Sequence, residues 1–249
     1  MPMSRAFRNG LVVLLCWACG SVQAAVSLAG TRLIFDGAFR EATIQTSNPG
    51  EHEVLVQAWL SAPQDSDETP REQRTVLPFA ITPHFFHLPS AGKQELRVLY
   101  QGAGMPEDRE SLLHLYVLEV PRRREGSNQL NIAVRQRINV FYRPPGLQGD
   151  PAETAQRLSW NLADEEVQVR NPTPYHVTLQ TVRLGDLLLS DYLLLEPGAR
   201  LELPVPRRIQ PQIFSFKALT DYGAQRAYCT RLKGRMPFTP DSIKLQEEC

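Results

Sequence analysis

Prolines punctuate this chain so often that long helices are out of reach. Twenty of them, beside 15 glycines, are spread through 249 residues. Each removes a backbone N–H and fixes φ, so it ends helices and sits at strand edges and in turns. Between them run short segments of alternating apolar and polar residues, such as Val54, Val56, Ala58 and Leu60. Period-two alternation marks a strand with one buried face. A first block predicts strands at Val26–Phe35, Glu41–Thr46, Val54–Leu60, Phe79–Thr82, His84–Leu88, Gln94–Tyr100, Leu112–Glu119 and Leu130–Tyr142. Asp36-Gly37, Asn48-Pro49-Gly50 and Ser90-Ala91-Gly92 supply turns between them. This density of strands in about 120 residues suggests an immunoglobulin-like sandwich, without the Cys…Trp…Cys spacing of antibody domains. Arg143-Pro144-Pro145-Gly146 cannot continue a ladder, so residues 144–149 read as a hinge. A second block of similar texture follows over residues 150–249, with strands at Leu158–Asn161, Glu166–Arg170, Val177–Leu184, Leu187–Leu195, Arg200–Pro204, Phe214–Thr220 and Arg226–Leu232.

The N-terminus has the form of an export signal. Arg5 and Arg8 precede the apolar run Leu11–Ala18, which is too short to span a bilayer. Val22-Gln23-Ala24 then offers small residues for cleavage before Ala25, which makes residues 1–24 a signal peptide. A short membrane anchor is the alternative. Cys16 and Cys19 lie inside the signal, so the remaining chain keeps Cys229 and Cys249. An even pair in an oxidising compartment is more often a disulfide than two thiols.

Charge and motifs exclude several functions. The 27 basic and 27 acidic residues balance, which disfavours a general nucleic-acid binder. Only four of the cations are Lys. Arg holds a carboxylate in a rigid fork, so some of the arginines read as anchors. There is no Gly-x-Ser-x-Gly elbow, P-loop, His-Glu-x-x-His or dinucleotide fingerprint. His84 and His87, three apart in a strand, face opposite sides. The expectation is a non-enzyme with no metal, no cofactor and no small-molecule substrate.

One segment is unlike the rest. Leu130–Tyr142 is far longer than an ordinary strand of five or six residues. Leu130, Ile132, Val134, Ile138 and Val140 share one face, with Gln136 among them; Arg135, Arg137, Asn139 and Phe141 share the other. As an interior strand it would simply have one core face. As an edge it would offer unpaired backbone groups beside an aliphatic row, a place to add a partner's strand.

Several segments resemble the PapD-like periplasmic chaperones of the chaperone–usher pilus pathway. They are Thr31-Arg32-Leu-Ile-Phe-Asp36-Gly, Pro78-Phe-Ala-Ile-Thr-Pro83, Pro106-Glu-Asp-Arg-Glu-Ser111-Leu, Ile138-Asn-Val-Phe-Tyr-Arg143-Pro, Asn171-Pro-Thr-Pro-Tyr175-His-Val-Thr178 and Thr220-Asp-Tyr-Gly-Ala224. They follow the family's order and span both blocks. The resemblance implies an all-β chain of two immunoglobulin-like β-sandwich domains in a boomerang arrangement. It implies a periplasmic chaperone that holds pilin subunits by donor-strand complementation and delivers them to an outer-membrane usher, with no ATP. Leu130, Ile132 and Val134 become the side chains lent to the pilin. Arg32 becomes the anchor for the pilin's C-terminal carboxylate. The lysine that completes this anchor in the family is replaced by Asn139, with Arg137 on the same face as a substitute guanidinium. Glu110, Arg143 and Asp221 match the family's interdomain salt-bridge set, whereas Cys229 and Cys249 match no cysteine spacing of the family. Self-association of the free protein is a second way to cover the sticky edge. The competing reading is a secreted β-sandwich adhesin or structural pilus protein.

Overall fold

The computed structural model describes residues 26–66, 68–122, 131–163, 166–205, 213–232 and 244–245. The first domain is built from β1 (Ser27–Leu28), β2 (Arg32–Asp36), β3 (Glu41–Ser47), β4 (Val54–Ser61), β5 (Phe79–Thr82), β6 (Phe85–Leu88), β7 (Lys93–Tyr100), β8 (Ser111–Pro121) and β9 (Val134–Arg143). They form a four-stranded sheet ordered β1-β3-β7-β5 and a five-stranded sheet ordered β2-β9-β8-β4-β6. Alternating residues from both sheets, among them Phe35, Val56, Leu96, Val98, Leu115 and Val140, are fully buried between them. Each such side chain contributes about 1.5–3 kcal/mol.

Two strand expectations change. The run Val26–Phe35 is not one strand: it breaks at residues 29–31, so that β1 pairs with β3 in one sheet and β2 pairs with β9 in the other. The core-facing side chains shift there from Val26 to Leu33 and Phe35, an even-to-odd change of parity that a single strand cannot accommodate. The long run also starts later. Asn131, Ile132 and Ala133 are outside the strand, β9 begins at Val134, and Leu130 lies outside the described residues.

Phe35, Phe79, Tyr100 and Tyr142 pack their rings 4.8–6.2 Å apart at the end of this sandwich nearest the second domain. Burial, and then a hydrogen bond with Tyr100, push the Tyr142 phenol up to about 12. This cluster holds the last turn of β9 in place just before Arg143. Past Arg143 the chain turns through the buried Pro144 and through Gly146 at φ 85°. Gly37 donates to the Arg143 carbonyl at 2.8 Å, and a Cβ at Gly37 would stand 2.8 Å from that same oxygen. Only glycine fits this close approach.

The second domain contains β10 (Ser159–Leu162), β11 (Glu166–Arg170), β12 (Val177–Leu184), β13 (Leu187–Leu195), β14 (Arg200–Pro204), β15 (Ile213–Leu219), β16 (Gln225–Arg231) and β17 (Lys244–Leu245). Sheets ordered β10-β11-β14 and β13-β12-β15-β16-β17 enclose a separate core around Trp160, Phe214, Phe216 and Tyr228. A short 3-10 segment, Pro151–Arg157, leads into it, capped by Asp150, whose side chain accepts from the Ala152 amide at 2.8 Å.

Both domains use the same lock. Asn48 donates its side-chain amide to the carbonyls of His52, Leu88 and Pro89. Asn171 donates likewise to Tyr175 and Glu196 and accepts from the Thr173 amide and hydroxyl. Each precedes a proline and ties a turn to a neighbouring strand end. Asn171 is fully buried, so truncation orphans several polar groups at once. Asn171→Ala is expected to lower stability by about 2–4 kcal/mol, read from urea unfolding of the purified protein.

Candidate functional site

The edge of β9 changes character along its length. β8 lines one side from Val134 to Tyr142 in antiparallel register. On the other side β2 runs parallel, but only opposite Asn139 to Arg143. From Val134 to Ile138 no strand among the described residues covers that side. The strand is therefore interior at its C-terminal half and an edge at its N-terminal half. Gln136 donates its side-chain amide to the Val26 carbonyl, and Glu119 of β8, opposite Val134, accepts from the Val26 amide, so two side chains reach the start of the first sheet there. Ile132, just ahead of the strand, is 60% exposed, and Val134 is half-buried.

Arg32 lies beside Asn139 across the β2–β9 pairing. Alternation puts both on the outer face of the five-stranded sheet, away from the core. The Arg32 guanidinium sits 5.5 Å from the centre of the Phe141 ring, and its Nε is buried with no hydrogen-bond partner. Burial pulls the Arg32 pKa down, and the fields of Tyr192, Asp221 and Glu110 pull it back up. A guanidinium remains charged throughout any usable range of pH. Arg137 is exposed on the same face as Asn139, and Arg135 lies 5.4 Å over the Tyr116 ring. The structure thus brings Arg32 and Asn139 together at the point where the β9 edge opens, with Arg137 one step along the strand.

Beside Arg32 a cleft of about 590 Å³ opens between the domains, lined by Thr31, Asp36, Arg143, Tyr175 and Asp221 among others. Its wall is a charge network. Arg143, at the end of β9, donates to Glu110 Oε1 through Nη2 at 2.8 Å and Nε at 3.0 Å. It also donates to Asp221, in the β15–β16 turn, at 2.9 and 3.2 Å. The Tyr175 ring lies 5.2 Å from the guanidinium. Glu110 is 3% exposed. Its second oxygen accepts from the His176 backbone amide at 2.8 Å and meets the His176 Nδ1 at 3.0 Å. Burial works against the Arg143 charge, but the Asp221 hydrogen bond and the Glu110 field outweigh it and hold its pKa above the ordinary value. Asp221, Tyr175 and His176 belong to the second domain, so this network joins the two domains.

The family resemblance pointed to Glu110, Arg143 and Asp221 but gave no role to His176 and Phe141. A lone histidine after a tyrosine carries no periodic signal, and its role depends on a carboxylate 66 residues away. Cys229 is buried in β16, with its Cα opposite that of Lys244 of β17. Cys249, like Leu130 and the signal region, lies outside the described residues. Among the described residues, no group of three or more His, Cys, Asp or Glu side chains is arranged to hold a metal.

Comparison with known proteins agrees over both domains. The family model "Pili and flagellar-assembly chaperone, PapD N-terminal domain" matches residues 25–148, and "Pili assembly chaperone PapD, C-terminal domain" matches residues 153–230. The probable fimbrial chaperone ElfD of Escherichia coli O157:H7 is 30% identical over 86% of this chain and 90% of its own. The Pseudomonas aeruginosa CupB2 chaperone structure is 31% identical, covers 84% of this chain and all of its own, and has a TM-score of 0.70. The SafB chaperone of Salmonella enterica, solved in complex with SafA pilin, is 25% identical, covers 88% and 98%, and also has a TM-score of 0.70.

The two carboxylates on Arg143 differ in burial, with side-chain exposures of 2% for Glu110 and 36% for Asp221. Arg143→Ala leaves Glu110 buried without its guanidinium and is expected to cost about 3–5 kcal/mol. Asp221→Ala removes a half-exposed partner and is expected to cost about 1 kcal/mol. Urea unfolding of the two variants checks the order.

Proposed function

The chain belongs to the PapD family of pilus-assembly chaperones, a family of chaperones and not of enzymes, and from that premise we propose that it is a periplasmic chaperone holding pilin subunits by donor-strand complementation. The observation that carries the reading is the half-open edge of β9. The stretch Val134–Ile138, uncovered among the described strands, begins two residues after the exposed Ile132 and ends directly before the Arg32–Asn139 pair. A pilin strand laid there gains main-chain hydrogen bonds. Its apolar groove takes Leu130, Ile132 and Val134, at about 1.5–3 kcal/mol for each side chain buried.

Arg32 receives the pilin's C-terminal carboxylate, which fixes the register of the added strand. Asn139 donates an uncharged amide at this point, and Arg137 supplies a second guanidinium from the same face. The network of Glu110, Arg143 and Asp221 holds the two domains at the angle that shapes the cleft. The SafB relative was solved with a pilin bound, which supports a pilin as the client. Delivery to an outer-membrane usher, export by a signal peptide cleaved before Ala25, and pairing of Cys229 with Cys249 belong to the same reading. The last is favoured by β17, which returns the C-terminal segment to the strand that carries Cys229.

Co-expression with a pilin in a bacterial periplasm, followed by purification of the pilin, tests this. Wild type is expected to come with it as a one-to-one complex, and Arg32→Ala and Ile132→Asp are expected to reduce recovery at least about tenfold, the equivalent of 1.4 kcal/mol. If both variants fold and hold the pilin like wild type, the donor-strand reading fails.

A further inference from the structure

The outer face of the five-stranded sheet carries a third polar side chain in line with the anchor pair. By register Arg32 of β2 is beside Asn139 of β9, and Asn139 is beside His114 of β8. With neighbouring strands about 4.8 Å apart, the row measures about 10 Å from end to end. His114 is only 8% exposed, yet its Nδ1 has no hydrogen-bond partner, and Arg32 Nε at the other end of the row has none either. A buried polar group left unpaired costs about 1–3 kcal/mol. Two such groups flank one amide side chain, and an acceptor seated there would answer Arg32 Nε and, whenever its Nδ1 carries a proton, His114.

The surroundings specify the sign of that acceptor. The Tyr116 ring stands edge-on to His114 at 6.2 Å. β9 brings Asn139 opposite it, with Arg137 and Arg135 next along the same face, and β2 brings Arg32 beyond. β4 brings Ser61 opposite and Trp59 beside it, neither of which titrates. The charged groups nearest to His114 in the register are thus cations, while the anions that reach Arg32, Glu110 and Asp221, are both paired with Arg143. Burial, and then the field of Arg137, hold the imidazole below 6.5, so His114 is neutral in the free protein at pH 7.

We infer that His114 is part of the carboxylate site: with Asn139 it takes the place of the missing lysine, as a group that becomes cationic when a chain-terminal carboxylate is seated over Asn139. This rests on the pilin-binding reading above. An anion at that position favours the imidazolium, so binding takes up a proton and affinity rises as pH falls. The sign for the free protein is opposite. A depressed histidine pKa means that the unfolded chain binds the proton more readily, so His114 costs stability as pH drops below 6.5. The client relieves that cost.

The probe is a peptide copying the C-terminal strand of the pilin recovered by co-expression, made as the free acid and as the C-terminal amide. It is titrated calorimetrically into wild type, His114→Gln and Arg32→Ala between pH 7.5 and 5.5. The free acid is expected to bind wild type more tightly as pH falls, by up to about tenfold per pH unit for one linked proton. His114→Gln should lose this gain, leaving an affinity that does not rise as pH falls, and the amide should show no gain. A gain that persists with the amide assigns the proton to an acidic side chain of the peptide and overturns the assignment. So does a pH-independent wild type, or a His114→Gln variant that keeps the wild-type slope. Wild type in two buffers of different ionisation heat reads proton uptake directly, near one proton if the inference holds and zero if it fails, without depending on any variant's folding. The outcomes separate cleanly: Arg32→Ala losing affinity at every pH upholds the anchor whatever His114 does. Arg32→Ala binding like wild type, or no pilin recovered at all, removes the anchor and this inference with it.

Discussion

β2 stops covering β9 at Asn139, and much of the first domain follows from where that happens. A strand inside a sheet has both rows of backbone groups satisfied; a strand at an edge has one row waiting. β9 is both, in sequence. Its C-terminal half is fixed by β2, β8 and the aromatic cluster around Tyr142, which makes it a rigid base. Its N-terminal half has β8 alone among the described strands. The cause lies in β1 and β2, which divide one stretch of chain between two sheets. A continuous strand from Val26 would have run in a single sheet; the break at residues 29–31 sends its first part to β3 instead.

The charge network serves the same region from the side of the second domain. Glu110 is buried with both oxygens engaged, one by Arg143 and one by His176. That arrangement ties β8, β9 and the second domain to a single carboxylate. Such a network gives geometric definition more than net stability, because desolvation of the charges offsets much of their attraction. Here the definition concerns the cleft beside Arg32, whose walls come from both domains.

Much of this was legible in the sequence, and what was hidden had physical reasons. The alternation of Val54, Val56 and Ala58 reads directly as a strand with a core face, and so do Leu113, Leu115 and Val117. The prolines after Arg143 mark the end of β9. The parity change between Val26 and Leu33 is visible too, but a two-residue β1 is too short to stand out from a continuous apolar run. The resemblance put Arg32 and Asn139 in one anchor, but no pattern in the chain says that Asn139 faces His114, because that pairing depends on where separate strands meet. The shared asparagine lock at Asn48 and Asn171 escaped for a similar reason. Each residue is an ordinary turn former until its partners 40 and 25 residues away are known.

Amide hydrogen exchange along β9, with and without a bound pilin, addresses the donor strand most directly. In the free protein the amides of residues 134–138 that are not bonded to β8 should exchange rapidly, while those of residues 139–143 are protected. With pilin bound, the first group should become protected and the second should stay as it was. A pilin complex in which residues 134–138 exchange as fast as in the free protein would contradict the account.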